Sequence, residues 1–437
     1  MQAIPESAGG AKDDYLYGPR PAWFAFAMTL ALMLFDYVDR QVIVSLFPHI
    51  KAEWQLSDKQ LGLLVSIVSV TVAAGAIPIA LLADRTSRVK SIVVMALGWS
   101  LACVSCMFTR NYTQLLAARA VVGVGEAAYG SVGAALLASH FPSRMRGALM
   151  ACFFATGSIG SVLGVVLGGI IATHWGWKAA FGVVGVPGLV LALLYYKVRD
   201  YETVRLTASH QQAVQSAGGV ARSVAGALAR TPTVLWTCIG AALQVSVLAT
   251  VWAWLPSFLN RFHHLPVDQA ALKAALVVLS GAVGSVVWGA VVDRAGRRRP
   301  RNKLYTMAVL CLVSLVLLGV AFGAGVWWPM PSQGAQIVLI MAGGFMAACT
   351  VGPVTAIVLD VVHPGVRATG GAVLTLFQNL FGLASGPFIA GALSDALGLQ
   401  WAMAIMPCFS VLAALAFLRA SRSYEADLRR VQDSIAT

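Results

Sequence analysis

Long apolar runs separated by short polar segments fill the chain from residue 22 to residue 419. About 20 predominantly apolar residues suffice to cross a bilayer as a helix, and twelve such runs can be placed. The first six cover 22–47, 61–83, 91–108, 113–139, 147–172 and 179–198. The second six cover 234–258, 270–292, 304–323, 335–361, 368–394 and 401–419. Runs this long satisfy their own backbone only as helices, and they lack the alternation of a membrane barrel. The pattern predicts an all-α membrane protein of twelve transmembrane helices in two six-helix halves. Residues 22–198 and 234–419 form the two bundles in this reading, with 1–21 and 420–437 as cytoplasmic tails and 199–233 as a cytoplasmic linker. The first run is too long, and too charged near its end, for a cleaved signal peptide, so it is expected to stay as span one.

Composition supports lipid as the solvent. Charged residues make up 11% of the chain, against roughly 25% in a soluble domain. With span-edge residues counted in the adjoining loop, 23 Lys and Arg lie on the side of the termini and 6 on the other. That asymmetry places both termini in the cytoplasm and predicts an integral protein of a bacterial inner membrane. It also accounts for the net charge of +13 as a basic rim facing anionic headgroups, with no nucleic acid as partner. All seven cysteines fall in apolar runs, an odd number that argues against a disulfide framework. Cys103 and Cys106 form a CxxC that reads as core packing, because no second pair or histidine completes a metal site.

The two halves repeat one another. The loop after span two reads ALLADRTSRVKS and the loop after span eight reads GAVVDRAGRRRPRNK, each an acid followed by a basic run. Pro142, Gly160, Gly164 and Gly169 recur as Pro364, Gly382, Gly386 and Gly391 at a single offset. Together these matches indicate a duplicated six-span unit.

The duplicated loop resembles the GxLaDrxGrkxxl signature of the major facilitator superfamily. Asp84, Arg85, Arg88 and Lys90 fit it, with Ala80 and Ser87 in place of glycines; Gly289, Asp293, Arg294, Gly296 and Arg297 fit in the second copy. The resemblance implies that Asp84, Arg85, Arg88, Asp293, Arg294 and Arg297 latch helix ends on the cytoplasmic side. Within the superfamily, FDYVDRQVIVSLFPHIKAEWQLSDKQLGLL and RAVVGVGEAAYG are similar to the Spinster branch over residues 35–200. That branch implies a proton-linked carrier, with lysophospholipids or sphingosine phosphate as the animal substrates. A related branch with a similar Asp-Arg in span one carries organic anions.

Ionisable residues deep in a span cost at least about 2.5 to 3.5 kcal/mol each on insertion scales. Asp39 and Arg40 in span one, and Arg119 and Glu126 in span four, are of this kind. Helical rise places Asp39 and Arg119 roughly 12 and 9 Å below the outer boundary, close enough in depth to pair. Arg119 and Glu126 lie within about 20° of one helix face. One reading makes Asp39 and Glu126 proton-coupling sites, with Arg40 and Arg119 balancing their charge and binding an anionic substrate. The other is a fixed ion-pair network joining the two spans. Asp36, one turn from Arg40, either simply neutralises that arginine or shares in the charge balance and substrate binding of the site. Gln244, Thr350, Gln378 and Asn379 in the second half are candidates to line a cavity, or equally to act as polar glue between helices.

Other patterns carry less. Gly123, Gly125 and Ala128 spell GxGxxA, but on a membrane helix they read as a close-packing face. Ser57 and Gln60 make a capping box before span two. No phosphate-binding loop, clustered-histidine motif or GxSxG is present, which argues against an ATP-driven pump and against a membrane enzyme. The sequence therefore predicts a monomeric, gradient-driven transporter of an amphipathic or organic anion, with the proton as coupling ion and no other cofactor.

Overall fold

The computed structural model describes residues 15–200, 231–324, 326–329, 332–362 and 367–436. Twelve of its helices are long and apolar enough to span a membrane. Spans one to six are Pro19–Trp54, Asp58–Ala83, Arg88–Cys106, Tyr112–His140, Arg144–Trp175 and Trp177–Tyr195. Spans seven to twelve are Pro232–His263, Val267–Gly296, Asn302–Gly323, Gln333–Asp360, Gly370–Leu397 and Leu399–Val431. Their order matches the twelve apolar runs, while several ends reach further. Span one continues past Pro48 to Trp54 and stops where Gln55 turns left-handed. Span two starts on the predicted capping box, with Ser57 accepting from the Gln60 amide and Gln60 from the Ser57 amide. Residues 420–436 are not an extended tail. They continue the last helix, and Asp427 and Ser423 bond Thr233 at the start of span seven. Most of the predicted linker lies outside the described residues.

The sequence repeat corresponds to a repeat of contacts. Gly160 and Gly164 bring span five onto the span-one backbone at Leu34 and Val38, and Gly382 and Gly386 bring span eleven onto span seven at Val245 and Ser246. Farther along, Gly169 sits on Ala271 of span eight, and Gly391 on the backbone of Asp58 in span two. A side chain at any of these glycines would strike the neighbouring helix, so the small residue is what permits the approach. Pro364, the last partner in the repeat, lies outside the described residues.

The halves join at the end remote from the termini. There Phe47 of span one packs against Trp254 of span seven, with ring centroids 5.2 Å apart and the planes tilted by 53°. The Trp254 indole donates to the Pro387 carbonyl at 3.0 Å, and Ser66 donates to the Ala384 carbonyl. At the same end Asp58 gathers donors from both halves. Arg261 grips it through two bonds of 2.6 and 2.7 Å, Ser394 donates from span eleven, and Lys51 donates from its own half. Asp395 in turn accepts the Asp58 and Lys59 amides at 2.7 and 2.9 Å, capping the start of span two from the opposite half. Toward the termini the seam between spans five and eight opens. Ala271, Ala275 and Val278 of span eight are buried, whereas Val286 on the same face is 74% exposed.

Spans four and ten are interrupted where the sequence predicts continuous helices. The helix of span four ends at Glu126 and resumes at Tyr129. That of span ten ends at Ala347, passes through a short tight turn, and resumes at Pro353. The breaks fall at matching places in the two halves.

Candidate functional site

Spans one and four bring five charged side chains together inside the first half. Asp36, Asp39, Arg119 and Glu126 are each at most 3% exposed, while the Arg40 side chain keeps 20%. Arg119 Nη1 lies 3.2 Å from Asp39 Oδ1 and also donates to the Asp39 carbonyl. Cys103 of span three donates its thiol to the same Oδ1 at 3.0 Å. Asp39 Oδ2 has no hydrogen-bond partner.

Arg40 serves the other two acids. Its Nε is 3.4 Å from Asp36 Oδ1 and 3.0 Å from Glu126 Oε2. The second contact is an ion pair without hydrogen-bond geometry, and both Glu126 oxygens accept no hydrogen bond. The guanidinium also lies 5.5 Å from the centre of the Tyr37 ring, a cation–π contact that orients it. Glu126 owes its place to the break in span four, since it is the last residue before the helix parts. Gly125 and Gly123 permit that geometry by seating span four against Trp99 of span three and Val68 of span two. The GxGxxA pattern is thus a packing face.

The pairings sort the charges into two sets. Asp39 with Arg119 is balanced, and a thiol donor reinforces the carboxylate. Asp36 and Glu126 share one guanidinium, so the five groups together hold three acids against two bases. In a membrane interior such an excess charge is costly unless something neutralises it.

The predicted second-half residues behave differently. Gln244 is fully buried, donating to Ser314 at 3.1 Å and toward the Ala347 carbonyl at 3.4 Å. Thr350 is fully buried as well. Gln244 thus bridges spans seven, nine and ten, whereas the Thr350 hydroxyl has no hydrogen-bond partner among the described residues. Asn379 donates to the Thr375 carbonyl within a π-helical stretch, Gln378–Leu383, and Gln378 beside it is half-buried.

Of the predicted latch residues, the Asp84 and Arg85 side chains lie outside the described residues. Arg88 is half-buried at the start of span three, beside Ser87, which donates to the Asp200 carboxylate. Asp293, Arg294 and Arg297 are exposed and form no ion pair among the described residues. Sequence reasoning found the buried charges but missed two features. The sequence reads Cys103 as core packing, because no second cysteine pair or histidine completes a metal site. The Asp58 cluster lies at a span edge, where charges are expected and draw no attention.

Comparison with known proteins agrees with this architecture. The Major Facilitator Superfamily profile matches residues 29–383. A gallate transporter of Pseudomonas putida is 29% identical over 430 residues, covering 91% of each chain. Human protein spinster homolog 1 is 26% identical, covering 98% of this chain and 86% of that protein. Among solved structures, a bacterial homologue of the human lysosomal transporter Spinster, inward-facing and occupied, superposes with a TM-score of 0.82 at 22% identity, over 94% of this chain and 99% of that one. With twelve spans, duplicated halves and a matching profile over most of its length, the chain belongs to the major facilitator superfamily of transporters.

Proposed function

We propose that the protein is a proton-coupled secondary transporter of an amphipathic or organic anion, working by alternating access. The observation that carries this reading is the surplus of one buried acid over the buried bases. A proton on Glu126 cancels the surplus, because Glu126 accepts no hydrogen bond, whereas Asp39 is paired with Arg119 and accepts the Cys103 thiol. Protonation of Glu126 leaves Arg40 with only Asp36, and this partly exposed guanidinium is then available to an anionic substrate group. Loss of the proton restores the competing carboxylate and releases the substrate. In this cycle the joined end is the closed outer gate, and the exposed seam between spans five and eight marks a chamber open to the cytoplasm. The bare basic loop after span eight then latches only when that side closes.

An amphipathic substrate such as a lysolipid is favoured by the resemblance to Spinster proteins and by the exposed apolar Val286 at the open end of that seam. A small aromatic carboxylate is the second reading, supported by the gallate transporter relative.

Reconstitution tests both parts. Uptake of a lysolipid or of an aromatic carboxylate into liposomes should rise with an inward proton gradient and collapse with a protonophore. Glu126→Gln should abolish gradient-driven accumulation while keeping substrate exchange, and Asp39→Asn should impair both modes. Wild-type accumulation indifferent to the gradient, or Glu126→Gln accumulating normally, would remove the proton role.

A further inference from the structure

A cavity lies outside the charged cluster, at the end of the bundle that carries the termini. It is a cleft of about 380 Å³ between the end of span eight and the start of span nine, lined by Val291, Arg294, Arg298, Asn302, Tyr305 and Thr306. Every polar group in that set can donate a hydrogen bond, and no acidic side chain lines the cleft. Arg294 lies in the last turn of span eight and Arg298 in the turn that follows its end at Gly296, and neither forms an ion pair among the described residues. Two guanidinium forks, an amide, a phenol and a hydroxyl around a space of this size match the oxygens of a phosphate group.

The walls say where such a phosphate comes from. Above the basic floor, Val287 and Val291 continue along span eight, and Tyr305, Val309, Leu312 and Val316 along span nine. All six are 40 to 60% exposed large apolar side chains at three- and four-residue spacing. Each stripe runs from the basic rim toward the middle of the membrane. A soluble anion would use only the floor, whereas a lipid uses both floor and walls.

We propose that this cleft binds an anionic phospholipid of the leaflet on the terminus side, with its phosphodiester between Arg294 and Arg298 and an acyl chain along the two apolar stripes. Basic pockets between spans at the cytoplasmic surface suit such headgroups. The site uses none of the buried charges of spans one and four, although it shares Arg294 with the basic loop after span eight.

The test is thermal unfolding of the purified full chain in detergent, titrated separately with dioctanoyl phosphatidylglycerol, dioctanoyl phosphatidylcholine, glycerol phosphate and inorganic phosphate. Phosphatidylglycerol should raise the midpoint well above phosphatidylcholine of the same chain length, and the two water-soluble phosphates should not move it. The R294Q/R298Q variant should bind phosphatidylglycerol about tenfold more weakly, as expected for two charge-assisted contacts. R422Q, which removes an exposed charge from span twelve, should respond as wild type. Because the substituted side chains are exposed, folding is not at stake, and R294K/R298K provides a reference that keeps the charge. An equal response to inorganic phosphate would make this a soluble-anion site and overturn the proposal. An undiminished response of R294Q/R298Q, or equal loss in R422Q, would overturn it too.

Discussion

Asp39 offers one oxygen to a guanidinium and a thiol and leaves the other bare, so its charge depends on two neighbours that only the fold brings together. Removing one member of a buried pair typically costs about 3 to 5 kcal/mol, because the survivor keeps its desolvation penalty. Arg119→Leu should therefore lower the unfolding midpoint sharply, and adding Asp39→Asn to it should recover part of the loss. Additive losses in the double variant would show that the two groups are not coupled. Cys103→Ala should slow transport by about two- to tenfold, the worth of one hydrogen bond, while Cys103→Ser should keep most of the rate. The charged members of this site were legible in the sequence because lipid makes any charge conspicuous. Cys103 was not, since a thiol among apolar residues is unremarkable until its partner is known.

Among the helices, the glycine positions were legible as a repeat, but their partners were not. Gly164 and Gly386 serve contacts within a half, whereas Gly169 and Gly391 serve contacts between halves, and spacing alone does not distinguish the two. The interruptions of spans four and ten show the same limit. Gly352 and Pro353 announce the break in span ten, because proline removes a helix donor. The break after Glu126 is marked only by small residues that also suit an unbroken helix. Gly391→Leu should wedge span eleven off Asp58, and Asp58→Asn should loosen the grip of Arg261. Both are expected to lengthen the distance between spin labels at Gln55→Cys and Leu265→Cys, measured by pulsed electron resonance against the same labels on the parent. An unchanged distance distribution in both variants would show that this end stays shut for other reasons.

At the scale of the molecule, run length was enough to give twelve spans in the right order, because hydrocarbon thickness fixes how long a span must be. Where the halves touch was not legible, since no apolar run records which neighbour it meets. The excess of basic residues on one side predicts that epitope tags at both termini are reached by antibody only in permeabilised or inverted membranes. Tags accessible on intact spheroplasts would reverse the orientation and with it the assignment of the gate. The first half holds a buried ionic cluster between spans one and four, whereas the buried Gln244 and Ser314 of the second half form a neutral pair.

Gly169 on Ala271 and Gly391 on Asp58 lie on opposite flanks of the Phe47 and Trp254 contact. Two such points define a line across the molecule, and a swing about that line preserves both of them, whereas pulling the halves straight apart sacrifices both at once. Span five extends about 36 Å from this pivot to its far end. A swing of about 15°, the size seen in rigid-body switching, would carry that end through an arc of about 9 Å. In the proposed alternating-access cycle these side-chain-free seats would act as a bearing, and filling either one should disturb the swing far from where the substrate sits.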